Sequence, residues 1–364
     1  MEVEINAEDH GGNRTHERLI LAPPSEQLSK CGQEHGKFNV ASHGLPGGGT
    51  ARTYNYGEGG ELEFPVPPKE FEPLAANAEE LEEYGFPARP SEPEALSEWE
   101  EDMAAYSSVP GEPEEMCRAD EMTEVLEPES SEAKGEAAEG AQEWSTSNWA
   151  GFLATELGDP NYYVGIQGDY VQPNTHPDLC SGSQEVSWIG LGGYGIPSLT
   201  QTGTGIDEKN HFYAWLEWLG PKGTGINIHR IRSLHIHPGD HIHLYMSYGQ
   251  STHVLNFYIA DNTTGEAKPA IFRKAPRFYS GETGDFIDER PTINGVYAHL
   301  KNFAKVGWSN TRVQAAGGSW RKLGKVAHRR LHMRNSAGEP QLAAPGYLKP
   351  SGAGFQDNWM RCHG

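Results

Sequence analysis

The chain of 364 residues carries 51 acidic and 29 basic side chains, a net charge of −22, and residues 61–143, with 26 acidic and four basic groups, account for that whole excess. No run approaches the roughly 18 consecutive apolar residues of a membrane-spanning helix, and no segment has the basic surplus that phosphate backbones demand. Neither a membrane nor a nucleic acid is therefore expected as a partner. The 44 glycines and 25 prolines follow no three-residue period, which excludes collagen and disfavours a helical bundle.

Residues 1–66 are polar and rich in Gly and Pro, with few apolar residues at any regular spacing, so a disordered N-terminal segment is expected. Residues 67–143 read as an acidic leader or linker with short helices near 78–84 and 92–105. There Asn77-Ala78-Glu79-Glu80 and Ser91-Glu92-Pro93-Glu94 have capping-box spacing, and Gly85 suits a helix end. Cys31, Cys117, Cys180 and Cys362 lie far apart without a CxxC pair, so no disulfide framework is indicated. Met1-Glu2-Val3-Glu4-Ile5-Asn6 lacks the charged and apolar regions of a signal peptide.

From Trp144 the texture changes to short alternating runs broken by Gly, Asn-Gly and Pro-Gly-Asp, the pattern of an antiparallel sandwich or barrel over 144–364. Strands are expected at 186–191, 212–219, 254–259, 285–289, 303–309, 329–333 and 354–359. A period of two in 212–219 puts Phe212, Ala214, Leu216 and Trp218 on a core face and Tyr213, Trp215 and Glu217 on the other. Leu234 to His237 should turn at Pro238-Gly239-Asp240 into His241 to Leu244, setting His235, His237, His241 and His243 on one face of a hairpin. No cysteine or carboxylate completes a ligand set there, so a polar ribbon face without metal is the expectation. Gly190-Leu191-Gly192-Gly193-Tyr194-Gly195 satisfies GxGxxG, but Ile196-Pro197 follows where a phosphate-binding helix would start, so no dinucleotide cofactor is expected.

Four ordered segments carry a more specific signal: Ser147-Asn148-Trp149-Ala150-Gly151, Trp188-Ile189-Gly190-Leu191 running to Leu199-Thr200-Gln201-Thr202-Gly203, Tyr213-Ala214-Trp215-Leu216-Glu217-Trp218, and Phe286-Ile287-Asp288-Glu289-Arg290-Pro291. Over about 147–360 they resemble the glutamic peptidases, or eqolisins. The resemblance implies an all-β fold, an antiparallel β-sandwich of two large sheets (concanavalin A/jelly-roll-like) preceded by the acidic, largely disordered leader. It implies a monomeric endopeptidase acting on polypeptides at acid pH without a cofactor. It also implies secretion, although this N-terminus shows no signal peptide. Glu289 matches the family's general base and Gln201 its oxyanion-binding amide, while Trp188, Trp215, Glu217, Asp207 and Tyr213 match the substrate cleft or stand close to it.

The chemistry is consistent, since a carboxylate can take a proton from water and return it, and a neutral amide stabilises developing negative charge without titrating. Gly192 stands where the family pattern has an aspartate. The alternative is a non-catalytic sandwich that binds glycans or peptides by stacking on Tyr213, Trp215 and Trp218. With an ordinary carboxyl at Glu289, activity should peak between about pH 3 and 5. The acidic leader should dock on the basic region 314–364 and leave it near pH 4.

Overall fold

The computed structural model describes residues 2–8, 14–20, 39–55, 60–107, 117–118 and, apart from short breaks, 142–363. Two compact units divide the chain, Met1–Phe38 and Asn39–Gly364. In the first, β1 (Glu2–Glu8) and β2 (Arg14–Ile20) pair as an antiparallel hairpin. The second begins with β3 (Asn39–Gly44), β4 (Thr50–Asn55) and β5 (Glu61–Val66), followed by α1 (Ala78–Glu83) and α2 (Pro93–Ala105). Strands then dominate: β6 (Cys117–Arg118), β7 (Gln142–Thr146), β8 (Trp149–Ala154), β9 (Tyr163–Val171), β10 (Ser183–Gly192), β11 (Leu199–Ile206), β12 (Phe212–Leu219), β13 (Gly225–Ile231), β14 (His241–Gly249), β15 (Val254–Asp261), β16 (Glu266–Arg273) and β17 (Gly284–Glu289). After them come the two-residue β18 (Thr292–Ile293), β19 (Val296–Tyr297) and β20 (His299–Leu300), then β21 (Lys305–Ala315), β22 (Trp320–Lys322), β23 (His328–Arg334), β24 (Gln341–Pro345) and β25 (Phe355–Trp359).

These strands build a sandwich of two antiparallel layers. One layer runs β3-β4-β5-β16-β15-β14-β9-β21-β22, and the other runs β13-β12-β11-β10-β17-β8-β23-β24-β25. Strand β21 belongs to both: Lys305 to Trp308 pair with β25, and Ser309 onward pairs with β9. The switch falls at Asn310, whose φ of 50° is left-handed, a conformation asparagine tolerates well. Between the layers Trp218 packs on Phe272, and Tyr170 and Phe286 pack on Trp308. The period-two reading of β12 therefore holds, with Trp218 facing the opposite layer. On the other face, Tyr213 and Trp215 join a second apolar cluster with Trp149, Trp188, Leu199 and Ile287. Gly151, at φ +141°, lets β8 pass close to β17, because a Cβ there would lie 2.0 Å from the Phe286 carbonyl oxygen.

Structure begins earlier than the composition suggests. The expectation of disorder over 1–66 is overturned at β3, β4 and β5, which form a meander on the edge strand β16 and bury Ala51, Tyr54, Leu62 and Phe64. Their apolar content is too sparse to order them alone, and it suffices only because β16 offers a partner edge. Helix α1 has the anticipated capping box, with Asn77 accepting from Glu79 and Glu80 and Glu80 accepting from the Asn77 N–H, and Gly85 follows it at φ +71°. The second capping box is absent: α2 starts from Glu92 without a side-chain cap, and Pro93 supplies the first turn instead.

Both helices pack on the outer face of the first layer through Leu81, Tyr84, Trp99 and Met103 against Tyr245, Tyr258 and Trp320. Polar ties surround this apolar contact. Arg312 grips Glu98 at 2.5 and 2.9 Å, and Asp102 lies 3.1 Å from His243, which also bonds Asp169 at 2.7 Å. Because the docking is apolar at its centre, α2 should stay docked when the glutamates protonate near pH 4, where charge alone would release it. Trp99→Ala should loosen it, costing about 3–5 kcal/mol. Hydrogen exchange over 78–105 checks this, and unchanged protection there would contradict the packing role.

Two further expectations are corrected. Cys180 and Cys362 form a disulfide across 182 residues of sequence, tying β10 to the C-terminus through a contact that spacing alone does not reveal. In the chain-entropy account, closing so long a loop contributes on the order of 5 kcal/mol. The histidine hairpin is not formed either. Residues 234–237 are irregular, His235, His237 and His241 are exposed, and His243 turns inward to the two aspartates. Among the described residues no helix is long and apolar enough to cross a membrane.

Candidate active site

The outer face of the second layer collects most of the anticipated site residues. Across β17, β10, β11 and β12 the register sets Glu289 opposite Val186, Gly190 opposite Gln201, and Gln201 opposite Glu217. Trp188 and Trp215 occupy the single row between, facing Gly203 on β11 from either side. These side chains share one face by strand alternation, and all are buried: Glu289 is 1% exposed, Gln201 0%, Glu217 2% and Trp188 0%. Trp144 from β7 stacks on Tyr194 at 4.9 Å, and both pack against the cluster.

Glu289 is held from two sides. Trp188 donates Nε1–H to Oε2 at 2.8 Å, and Asn148 donates Nδ2–H to Oε1 at 2.8 Å. Burial pushes its pKa up to about 8, and these two hydrogen bonds oppose the rise. Gln201 donates Nε2–H to Glu217 Oε2 at 2.7 Å, which fixes the orientation of the amide, while its Oε1 has no partner among the described residues. Gln201 and Glu289 are not in contact, being two strands apart and offset by four residues along β10, about 13 Å of backbone. The Trp188 indole bridges part of that gap, with Nε1 at Glu289 and the six-membered ring over Gly190, where a Cβ would lie 2.6 Å from Cζ3.

The remaining positions are less central. Tyr213 lies at the far end of the same face with the Arg230 guanidinium 3.9 Å from its ring centre, and burial holds its phenol well above the ordinary range. Asp207 sits past the end of β11, where Oδ1 accepts the N–H groups of Lys209 and His211 and so shapes the turn into β12. Gly192, the position of the family aspartate, adopts φ +83° and donates its N–H to Thr283 O at 2.9 Å.

Behind the face lies an acid cluster that the sequence reading missed. Glu185 and Ser187 alternate with Val186 and Trp188, so they point into the sandwich, as does Asp288 beside Glu289. The Ser187 hydroxyl lies 2.5 Å from Glu185 Oε1 and 2.6 Å from Asp288 Oδ1. One hydroxyl hydrogen cannot serve both, so at least one of the two carboxyls carries a proton. Trp308 Nε1 donates to Asp288 Oδ2 at 3.2 Å, and Asp357 lies alongside. Burial raises Asp288 to about 6 and also raises Glu185 and Asp357. Alternation around Val186 and Glu289 is the one sequence signal that could have located this cluster.

Comparison with known proteins places the chain by family and by fold. The model of the Peptidase A4 family matches residues 147–340. Scytalido-glutamic peptidase, solved with a transition state analog inhibitor, superposes with a TM-score of 0.50 at 16% identity, over 59% of this chain and 98% of that one, a likeness of fold. Aspergilloglutamic peptidase from Aspergillus niger gives 0.41 at 17% identity, over 49% of this chain and 99% of that one. No curated protein sequence matches the chain. Since the matched residues make up more than half of its length and contain Asn148, Trp188, Gln201, Glu217 and Glu289, the chain belongs to the Peptidase A4 family.

Proposed function

We propose that the chain is an endopeptidase in which Glu289 takes a proton from the attacking water and returns it to the leaving nitrogen, while the Gln201 amide stabilises the oxyanion. The observation that carries this reading is the carboxyl of Glu289, buried yet held at both oxygens by N–H donors and placed on the same face as Gln201. A buried carboxyl with a raised pKa is suited to exchange a proton near neutral pH. Gln201 carries two Nε2–H groups. Glu217 takes one and thereby fixes which end of the amide faces the cleft, leaving the other for a developing oxyanion. Since Gln201 and Glu289 stand about 13 Å apart along the strands, one carbonyl reaches both only if their side chains turn toward it over the Trp188 indole.

The test is cleavage of an unfolded polypeptide by the full chain, read as new amino termini by mass spectrometry from pH 3 to pH 9 with pepstatin present. Cleavage is expected in the wild type. In Gln201→Leu, kcat should fall by about 10²–10³, the cost of removing one oxyanion donor. No cleavage at any pH would favour the non-catalytic sandwich that binds peptides or glycans, and pepstatin-sensitive cleavage would remove the Gln/Glu assignment.

A further inference from the structure

Asn148 lies in the bend between β7 and β8, 0% exposed. The bend is fixed at both ends. Thr146 Oγ1 accepts the Trp149 N–H at 2.8 Å and donates to the Trp149 carbonyl at 2.6 Å. Arg290, the residue after Glu289, donates its N–H to the Asn148 carbonyl at 3.1 Å and Nε–H to the Ser147 carbonyl at 2.9 Å. The strand that carries Glu289 therefore also holds Asn148 in place against it.

The two donors to Glu289 differ in kind. An indole N–H only donates, so Trp188 suits a carboxylate oxygen or the carbonyl oxygen of the acid, but never the acid O–H. The Asn148 amide has a donor and an acceptor at ends that a half-turn about χ2 exchanges. Its Nδ2 meets Glu289 Oε1, while its buried Oδ1 has no partner among the described residues. An unpartnered buried acceptor costs about 1–3 kcal/mol, and protonation of the neighbouring carboxyl would supply the missing donor.

We propose that Asn148 is a positioning residue for Glu289, its amide turning over as the carboxyl gains a proton: Nδ2–H holds the carboxylate, and Oδ1 accepts from the protonated Oε1–H. The role rests on the peptidase reading above and adds to it a device that keeps the carboxyl aligned in both protonation states. The proton passes from water to Oε1 and on to the leaving nitrogen, the water oxygen bonds the carbonyl carbon, and the C–N bond breaks. Asn148 itself makes and breaks no covalent bond. The titratable and charged groups nearby are Asp285, four residues before Glu289 on the same face of β17, Glu217 and Tyr213 on β12 with Arg230 of β13 on the Tyr213 ring, Asp207 beyond β11, Glu185 and Asp288 on the reverse faces of β10 and β17, and Arg290, stacked on Tyr297 at 4.9 Å.

The carboxyl can be titrated directly by infrared difference spectroscopy with 13C-labelled glutamate in the full chain, its band assigned by loss in Glu289→Gln, with kcat and KM measured in parallel. Asn148→Asp keeps the volume but replaces the donor by an anion. It should hold the proton on Glu289 to a pH at least one unit higher. Asn148→Leu removes the partner of both states, so kcat should fall at least tenfold at unchanged KM while the midpoint moves by less than half a unit. If Asn148→Leu raises the midpoint as far as Asn148→Asp does, the amide only donates and the turnover idea is overturned. An unmoved midpoint in Asn148→Asp overturns the pairing as well. The spectroscopic arm needs no catalysis, so an inactive wild type would remove the peptidase reading while the titration still decides the role of Asn148.

Discussion

Glu289→Gln should abolish peptide hydrolysis at every pH, lowering kcat/KM by at least three orders of magnitude with the fold intact. The glutamine keeps the volume of the side chain and accepts from Trp188, but it cannot take a proton from water, and general base catalysis alone is worth about 10²–10⁴. In the wild type the sign of the pH dependence follows from the requirement that the base be ionised. Burial raises Glu289 to about 8, so in the free enzyme the ionised fraction, and with it kcat/KM, should rise with pH until about 8. Desolvation should therefore move the optimum upward from the pH 3 to 5 that an ordinary glutamate would give. Measuring kcat/KM from pH 4 to pH 9 checks both claims. Residual wild-type turnover in Glu289→Gln would remove it as the base, and an acid limb near 4.5 would show that the site is open to water before substrate arrives.

The sandwich and its site rows were legible in the sequence because strand alternation and motif order are local. The face of β12 with Trp215 and Glu217 followed from a period of two, whereas Glu289 and Gln201 stood out only through the family resemblance of the segments around them. What stayed hidden depends on contacts between distant residues. Strands β3 to β5 exist because β16 lends them an edge, and the Cys180–Cys362 bridge because the fold brings its ends together. Local alternation sets His243 among four imidazoles on a hairpin, whereas residues 234–237 form no strand, and α2 brings Asp102 to meet it. Asn148 sat in a quoted motif, yet its partner is 141 residues away. The pKa of Glu289 was out of reach for the same reason, since desolvation is a property of the assembled face.

Acidification should stabilise the second unit, with a thermal midpoint at least about 5 °C higher at pH 4 than at pH 8. The sign comes from the direction of the shifts. Asp288 is raised to about 6, Asp102 to about 7 and Glu289 to about 8, with burial the largest cause in each, and Glu185, Asp285 and Asp357 are raised as well. The folded state then binds more protons than the unfolded chain above pH 4, so stability is full below the unfolded carboxyl values and is lost as pH climbs through the folded ones. His243, raised to about 9, acts in the same direction at higher pH, whereas His332, lowered to about 4, favours the folded state above its unfolded value and opposes the trend. Asp288 alone corresponds to on the order of 3 kcal/mol, or about 4 °C in a unit of this size. Asp288→Asn keeps hydrogen-bonding capacity without charge and should flatten the curve. A midpoint higher at pH 8 than at pH 4 would mean that the cluster is ionised and compensated in the fold. If the trend holds, activity is bounded from both sides: Glu289 must lose its proton to act as a base, while the fold behind it is most stable when Glu185, Asp288 and Asp357 keep theirs.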